Sequence, residues 1–552
     1  MSGPKFGTRE AVDFLVIGAG AAGGVMAKEL STAGFRVVVL EQGPYLRETD
    51  YSHDEIKYTF HYALTNDEKL QPITFRRNEN EPAKRLKAIA YGRQVGGGSV
   101  HFTGNYWRFH ETDFHERSLF GAVPGSSFAD WPISYADLEP YYTKAEYDLG
   151  ISGIAGANPF EGPRSKPYPL PPMPVKSSGA LFEKGTKKLG LHPFPAPVAI
   201  LSQPYRGRAA CVHCGFCELF GCEMRAKSST LVSVIPAAER TGRCEIRPNS
   251  YVRKIAINAQ GRATGAVYFD AGRREVFQRA KTVVVCANGV ESAKLLLVSK
   301  SNLFPNGLAN SSGLVGKNLM WDSGPFSCGL FEHPLNEFKS IQVTRVIHDY
   351  YRADPKLGFY GGAGIDARFD FYPAGFALFG MPSDAPKWGA EYKKMVGHYY
   401  TRTMSLLAHA TSLPVEKNSV TLDPNIRDDW GLPAVRITYE EHPDNIANFK
   451  WLMEREMEIF DAMGAQKVWS QPIDAFALSV HLMGTCRMGK DPKQSVVNPV
   501  SRTHDVPNLF VVDGSNFVTS ARQQPTATIQ ALAYRAADHI VRSARSGDLR
   551  PS

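Results

Sequence analysis

A glycine-rich turn between an apolar strand and a helix constrains this chain more than any other feature. Its glycines, Gly18, Gly20 and Gly23, follow a Gly-x-Gly-x-x-Gly pattern. The apolar run 11–17 before it predicts a strand buried on both faces, and residues 21–30 after it predict a helix. In such a turn the first glycine permits the bend, the second lets the backbone approach a pyrophosphate, and the third allows close helix–strand packing. The chain is therefore predicted to begin with a parallel α/β unit that binds a dinucleotide.

An acidic residue at the end of the next predicted strand strengthens this interpretation. The strand covers residues 35–40 and ends at Glu41. An acid about twenty residues beyond the glycines suits the hydroxyls of a ribose. The glycine pattern alone would be weak evidence, but strand, turn, helix, strand and acid in this order predict a dinucleotide site. They do not distinguish FAD from NAD.

Composition and charge narrow the class of protein. The chain has 552 residues, of which 43% are hydrophobic and 21% charged, which is typical of an ordered globular protein with a large core and two interleaved domains. The net charge of +8 is not concentrated in a Lys/Arg-rich run, which argues against a nucleic-acid partner. No apolar stretch reaches the roughly 18 residues of a transmembrane segment. Without a signal peptide, the chain is expected in the cytoplasm, or in the periplasm or at a membrane through a partner subunit.

Four of the eight cysteines form a compact motif with C-x2-C-x2-C-x4-C spacing. They are Cys211, Cys214, Cys217 and Cys222. Closely spaced thiolates suit an iron–sulfur cluster, either 3Fe-4S or 4Fe-4S. Zinc, or a cysteine-rich loop without metal, remains an alternative. Covalent haem attachment is excluded, because Gly215 stands where that motif requires histidine.

Four further segments occur in a characteristic order along the chain: 91–99, 313–320, 481–485 and 513–515. Together they resemble the glucose–methanol–choline (GMC) oxidoreductase family, which binds FAD. Beyond Gly18, Gly20, Gly23 and Glu41, the resemblance implies cofactor contacts at Arg93, Gly97, Gly98, Ser99, His101, Asp513, Gly514 and Thr526. In some members a histidine at the position of His101 is bonded covalently to the flavin; here we favour a histidine packed beside non-covalent FAD.

The resemblance also implies the fold class, which is α/β. It consists of an FAD-binding Rossmann-like domain of the GMC type with an interleaved α+β substrate domain on an antiparallel sheet. The expected ranges are 1–50, 91–125, 200–325 and 480–545 for the FAD domain, which includes the cysteine motif, 330–480 with parts of 126–199 for the substrate domain, and 51–90 for a lid or insertion.

The C-terminal segments carry the predicted catalytic residues. By resemblance, His481 is the base that removes the hydroxyl proton as hydride leaves carbon, since a neutral imidazole is suited to that task near neutral pH. The family usually has a second His or Asn before a Pro-Thr helix start, where this chain has Gln524. Glutamine can hydrogen-bond a substrate oxygen but cannot take a proton, so His481 is predicted to be the sole base. A shifted alignment would place Gln523 at this position instead.

The expected activity is that of an FAD-dependent dehydrogenase, which oxidises a hydroxyl of a sugar or glycoside to a carbonyl. Electrons would leave through the iron–sulfur cluster to an external acceptor, such as a cytochrome or a small partner subunit. The alternatives are an oxygen-using sterol or long-chain alcohol oxidase, a lyase that keeps FAD only as structure, and a non-catalytic electron-transfer or assembly subunit.

Overall fold

The structure is a computed structural model that describes residues 5–473 and 479–549. Its strands are β1 (Val12–Ile17), β2 (Val37–Leu40), β3 (Ile73–Arg76), β4 (Lys84–Arg85), β5 (Phe194–Pro195), β6 (Cys244–Arg247), β7 (Tyr251–Ile257), β8 (Ala263–Phe269), β9 (Glu275–Val285), β10 (Met320–Trp321), β11 (Phe326–Leu330), β12 (Arg345–Ile347), β13 (Ala363–Arg368), β14 (Thr403–Ala410), β15 (Ser419–Arg427), β16 (Pro433–Thr438), β17 (Lys467–Ser470), β18 (Leu482–Met483) and β19 (Leu509–Val511). Its α-helices are α1 (Ala21–Thr32), α2 (Glu116–Phe120), α3 (Tyr135–Leu149), α4 (Ser177–Lys188), α5 (Val234–Arg240), α6 (Glu291–Val298), α7 (Pro373–Gly375), α8 (Gly389–Tyr400), α9 (Pro443–Met463) and α10 (Thr526–Ser546). The predicted domain ranges 1–50 and 330–480 include residues 1–4 and 474–478, which lie outside the described residues.

A seven-stranded sheet is built around β1, whose apolar side chains are almost completely buried. Strands β2 and β9 flank β1 as parallel neighbours, β6 lies beyond β2, and β19 pairs in parallel with β9. Strands β8 and β7 add an antiparallel extension. Because β1, β2 and β19 run in the same direction, their carboxyl ends meet at one edge of the sheet, where ligands bind in open α/β sheets. Gly18, Glu41 and Asp513 follow these strands and lie at that edge.

A second, six-stranded sheet has the order β17-β11-β14-β13-β12-β5, with antiparallel pairing throughout. Helix α9 packs against it through an apolar face that includes Leu452, Ile459 and Phe460. The helix begins after His442, whose side chain accepts a hydrogen bond from the Asp444 N–H, and it ends at Gly464 in the left-handed conformation. These end signals and the apolar face explain why this segment is a long helix beside a sheet.

Two small sheets connect distant parts of the chain. Strands β3 and β4, from the segment expected to be a lid or insertion, form a four-stranded sheet with β16 and β15. Strands β10 and β18 form an antiparallel pair in which Met320 lies opposite Met483 and Trp321 lies opposite Leu482. This short pair joins the end of the 313–320 segment to the C-terminal segment that begins at His481.

The C-terminal helix α10 packs against α1 and α3. The Gln530 side chain accepts a hydrogen bond from the Tyr106 hydroxyl at 2.6 Å and donates one to the Ala21 carbonyl at 3.3 Å. Helices α1 and α10 therefore begin close to the same edge of the parallel sheet. In the part of the chain that the structure describes, no helix combines the length and apolar character needed to cross a membrane.

Candidate active site

A cavity of about 860 Å³ lies at the carboxyl edge of the parallel sheet. Residues from the parallel sheet, the six-stranded sheet and the C-terminal segments all line it. Its volume is in the range of pockets that enclose small molecules and cofactors. The two ends of the chain thus meet around one cavity.

The glycine turn shapes one wall of this cavity. Gly18 has φ +97°, and a Cβ atom there would lie 2.4 Å from the Cys286 carbonyl oxygen. A Cβ atom on Gly23 would lie 1.9 Å from the Gly18 carbonyl oxygen. Gly23 therefore permits close backbone packing behind the cavity wall. Gly20 and Gly98 line the cavity, and a Cβ atom on Gly98 would enter open space. The backbone therefore leaves room for a ligand to approach closely.

Glu41 lines the cavity and is 5% exposed. Its Oε2 accepts a hydrogen bond from the Ala19 N–H and its Oε1 accepts one from the Gly43 N–H, both at 2.9 Å. Burial raises the pKa of Glu41 to about 7, while these N–H groups and the charge of Arg93 oppose the rise. Each oxygen keeps a lone pair with which it could accept a hydrogen bond from a ribose hydroxyl.

The loop from 91 to 101 supplies further predicted cofactor contacts. Gly97, Ser99 and His101 line the cavity. Ser99 donates its hydroxyl to the Gly96 carbonyl at 2.7 Å, which holds the loop in shape. Arg93 lies behind the wall, with its guanidinium 5.9 Å from a ring centroid of Trp430.

His101 is a buried, neutral imidazole at the cavity wall. Burial, together with the charge of Lys227, lowers its pKa to about 4. Among the described residues, its Nε2 atom has no hydrogen-bond partner. A ring nitrogen in this state suits contact with a bound cofactor, and whether the contact is covalent stays a prediction.

The C-terminal wall completes a site that fits FAD. Gly514, Thr526 and Asp513 line the cavity, and the Asp513 carboxylate is held by the Ser515 N–H at 2.9 Å and the Ser292 hydroxyl at 2.5 Å. Burial raises the pKa of Asp513 above its ordinary value. Helices α1 and α10 both begin at the cavity, and the first N–H groups of a helix lack partners within the helix and favour anions. The glycine cradle, Glu41 and these two helix starts match a dinucleotide carrying phosphates and ribose.

His481 faces Asp322 across the short strand pair. Since Trp321 pairs with Leu482, the next residue on each side, Asp322 and His481, also come opposite each other. The His481 Nδ1 atom is 3.0 Å from Asp322 Oδ2, and the Asp322 side chain is completely buried. With Nδ1–H donating to this carboxylate, Nε2 is the basic nitrogen of the ring. The pair is therefore arranged for proton abstraction at the cavity, where both residues line the wall.

Gln524 lines the same cavity and contacts a histidine that the sequence analysis did not identify. Its Nε2 atom is 2.6 Å from His409 Nε2. His409 lies on β14, directly opposite Gly364 on β13, which makes Asp366 its diagonal neighbour. Gln523, the alternative in a shifted alignment, instead donates to the Arg108 carbonyl. Gln524 is thus the glutamine that lines the cavity, and His409 is its partner.

A buried ion pair holds His409 in place. Arg368 bonds both oxygens of Asp366 at 2.6 Å, and Asp366 Oδ2 is 3.0 Å from His409 Nε2. Burial would raise the pKa of Asp366, but Arg368 and His409 lower it below its ordinary value. Sequence motifs do not identify His409, Asp366, Arg368 or Asp322 as site residues. Of these four residues, only Asp322 has a signal in the sequence, because it closely follows the 313–320 segment.

The cysteine motif forms a loop beside the cavity. Cys217 is buried, Cys214 is exposed, and Cys211 and Cys222 are half-buried. Burial raises the pKa of the Cys217 thiol to about 12. In residues 5–473 and 479–549, no group of three or more His, Cys, Asp or Glu side chains is arranged to hold a metal ion. As placed, the four thiols do not form the converging ligand set that a cluster requires. Glu218 and Leu219, which follow Cys217 in the same loop, line the cavity.

Comparisons with known proteins agree with this architecture. Two family models, both described as GMC oxidoreductase, match residues 12–322 and 414–533. The chain is 34% identical to 2-methyl-1,2-propanediol dehydrogenase of Mycolicibacterium austroafricanum, over 96% of this chain and 95% of that protein. It is 31% identical to the gluconate 2-dehydrogenase flavoprotein of Pantoea cypripedii, over 96% and 93%.

A solved structure has the same fold. The crystal structure of pyridoxine 4-oxidase from Mesorbium loti superposes with a TM-score of 0.64 and 20% sequence identity, covering 96% of this chain and 99% of that one. The fold class predicted from the sequence is therefore confirmed.

Proposed function

Because this chain belongs to the GMC oxidoreductase family and acts on CH–OH groups, we propose that it is an FAD-dependent dehydrogenase that oxidises a hydroxyl of a sugar or glycoside to a carbonyl. The observation that carries the proposal is the His481–Asp322 pair at the wall of the cavity that also contains the glycine turn and Glu41. A base and a dinucleotide cradle in one cavity are the two parts that alcohol oxidation by hydride transfer needs.

The residues of the chain have distinct roles in this reaction. His481 Nε2 takes the proton of the substrate hydroxyl, and Asp322 stabilises the resulting imidazolium through Nδ1. Gln524 lies at the same cavity and orients substrate by hydrogen bonding, since an amide does not take up a proton. FAD, when bound, supplies the hydride acceptor.

The proposal includes an external electron acceptor, such as a cytochrome or a small partner subunit. The position of the cysteine loop supports an exit for electrons beside this loop, because its residues Glu218 and Leu219 line the cavity. An iron–sulfur cluster on Cys211, Cys214, Cys217 and Cys222 stays a prediction from the motif, and no electron-transfer step is derived through it.

A dye-linked assay over a panel of sugars, glycosides and alcohols tests the activity. We expect reduction of an artificial acceptor with sugars or glycosides and little hydrogen peroxide under air. Peroxide formed in proportion to substrate would identify an oxidase instead. Absence of flavin reduction by every alcohol and sugar would remove the proposed function altogether.

Metal analysis tests the cluster separately. If the four thiols converge on a cluster when metal is bound, protein purified without oxygen should contain iron and acid-labile sulfide, and Cys217→Ser should lower both while flavin reduction by substrate continues. Cys244→Ser, at a buried cysteine outside the motif, is the matched control and should leave iron unchanged. Iron-free wild-type protein would exclude the cluster without affecting the assignment of His481.

A further inference from the structure

His409 lies close to the catalytic base without belonging to the predicted machinery. Its Nδ1 atom is 4.0 Å from Asp322 Oδ2, the same oxygen that bonds His481 at 3.0 Å. The two imidazoles therefore approach one carboxylate oxygen from different elements, β14 and the start of β18. Both rings line the cavity.

The two ring nitrogens of His409 differ in how many hydrogen-bonding atoms lie close to them. Nε2 is surrounded by Asp366 Oδ2 at 3.0 Å, Arg368 Nη2 at 3.1 Å and Gln524 Nε2 at 2.6 Å. Nδ1 has only a contact of 3.4 Å with Gln524 Nε2 and the distant Asp322 oxygen. The ring is thus anchored through Nε2, and Nδ1 retains hydrogen-bonding capacity.

Two further polar atoms at this wall lack partners. Asp322 Oδ1 and Gln524 Oε1 are buried and make no hydrogen bond to any residue in the described ranges. Leaving buried acceptors unsatisfied destabilises a folded protein, and more so for a charged group. Since both residues line the cavity, a ligand that carries hydrogen-bond donors can satisfy them.

The chemistry of these atoms selects the ligand group. Two acceptors, one of them on a carboxylate, need a donor, which excludes a carboxylate, ether or carbonyl group at this position. A hydroxyl can donate to Asp322 or Gln524 and also bond the imidazole nitrogen of His409. Because His481 and His409 lie 3.0 Å and 4.0 Å from the same Asp322 oxygen, we place this hydroxyl on a carbon next to the one being oxidised.

We propose that Asp322, His409 and Gln524 form a second hydroxyl-binding subsite, so that the preferred substrates contain a vicinal diol. This inference rests on the proposed function and assigns the residues that recognise a second hydroxyl of its substrate. A hydrogen bond to a charged group typically contributes about 1.5–3 kcal/mol. We therefore expect a diol to react about tenfold to a hundredfold more efficiently than the corresponding simple alcohol.

Anaerobic stopped-flow reduction of the FAD-loaded protein tests this with four probes: 1,2-propanediol, 1-propanol, 2-propanol and 1-amino-2-propanol. The readout is the ratio of second-order rate constants for the diol and the better simple alcohol. A ratio within one variant cancels any general loss of activity. In wild type we expect a ratio of about ten or more.

Variants locate the source of that preference. His409→Ala should reduce the ratio to about threefold or less, and His409→Asn should keep part of it, because asparagine retains a hydrogen-bonding group. His192→Ala is the matched control: His192 is an exposed histidine paired with Asp349, outside the cavity, and its loss should leave the ratio at the wild-type value.

Each contrary outcome has a defined meaning. A wild-type ratio near one, or a ratio that both His409 variants retain, overturns the subsite. Faster reduction by the amino alcohol than by the diol assigns the position to an ammonium group and also overturns it. If none of the four probes reduces FAD while sugars remain active in the dye assay, the subsite fails and the proposed function stands; inactivity with every compound removes both.

Discussion

At the scale of single residues, the proposed reaction depends on how Asp322 and His481 hold the proton taken from the substrate hydroxyl. Asp322 fixes the orientation of the His481 ring through Nδ1, and burial of this carboxylate keeps the contact free of competing water. The other predicted catalytic residue, Gln524, cannot exchange a proton. The two side chains are therefore expected to contribute unequally to the rate.

Replacing the base should separate chemistry from cofactor binding. His481→Ala should slow flavin reduction about 10²–10⁴-fold, the usual contribution of a general base, while FAD remains bound. Gln524→Ala should cost less, because it removes orientation only. Stopped-flow reduction and flavin absorbance measure the two effects. His504→Ala, at a histidine bonded to Ser495 outside the cavity, is the control, and a larger loss in Gln524→Ala than in His481→Ala would contradict the assignment.

Glu41 should give the apoprotein a measurable pH dependence. Its pKa is about 7 in the folded state against an ordinary 4.5, so the folded chain holds a proton that the unfolded chain has released. The stability that protonated Glu41 gives the folded chain is complete below about pH 4.5 and is lost as the pH rises to about 7. Across this window the free energy of unfolding of the wild type should fall by about 3 kcal/mol relative to that of Glu41→Gln.

Urea unfolding of the apoprotein at several pH values measures this difference. The control is Glu10→Gln, which removes an exposed carboxyl outside the cavity. A constant difference between wild type and Glu41→Gln would show that the Glu41 carboxyl is not perturbed.

At the scale of elements, the strand pair β10–β18 brings His481, the proposed base, to the Asp322 carboxylate. Gly484 directly follows β18 with φ +89°, and a Cβ atom there would lie 2.2 Å from the Asn318 carbonyl oxygen, just before β10. The close approach of these two backbones therefore requires glycine. Any displacement here would separate His481 from Asp322.

Gly484→Ala should accordingly reduce both stability and rate. The left-handed backbone alone costs an alanine about 1–2 kcal/mol, and the clash with the Asn318 carbonyl adds to that. Gly313→Ala is the matched control, because Gly313 also has positive φ, at +71°, but a Cβ atom there meets nothing within 4 Å. Denaturant unfolding and flavin reduction should show a larger loss in Gly484→Ala; equal losses would argue against the close approach.

At the scale of the whole molecule, the cavity joins the parallel sheet, the six-stranded sheet and the C-terminal helix. Elements from both ends of the chain contribute to its walls. A cofactor bound there contacts parts of the protein that are far apart in sequence. Its binding energy therefore adds to the stability of the fold as a unit.

Removing FAD should lower the unfolding temperature. At a free concentration one hundred times its dissociation constant, FAD should stabilise the protein by about 2.7 kcal/mol, whereas NAD should give no shift. Differential scanning fluorimetry measures both. Acid precipitation should release the yellow cofactor into the supernatant, and colour that stays in the pellet would indicate a covalent bond at His101.

The sequence by itself determined the local parts of this protein. The glycine turn, β1, Glu41 and the C-terminal segment with His481 are read from short motifs because strand periodicity, turn geometry and a ligand cradle depend on neighbouring residues. The family resemblance added the order of these parts and the fold class. The positions of the cofactor residues around one cavity then came from the structure.

Only the tertiary structure decided which side chains stand beside the base. Asp322 reaches His481 through the register of β10 and β18, and His409 reaches Asp366 through the register of β13 and β14. Register between strands far apart in sequence depends on packing across the whole sheet, which local patterns do not encode. The same limit applies to the cysteine motif: its spacing predicts a ligand set, but convergence of four thiols on one point is a property of the folded loop.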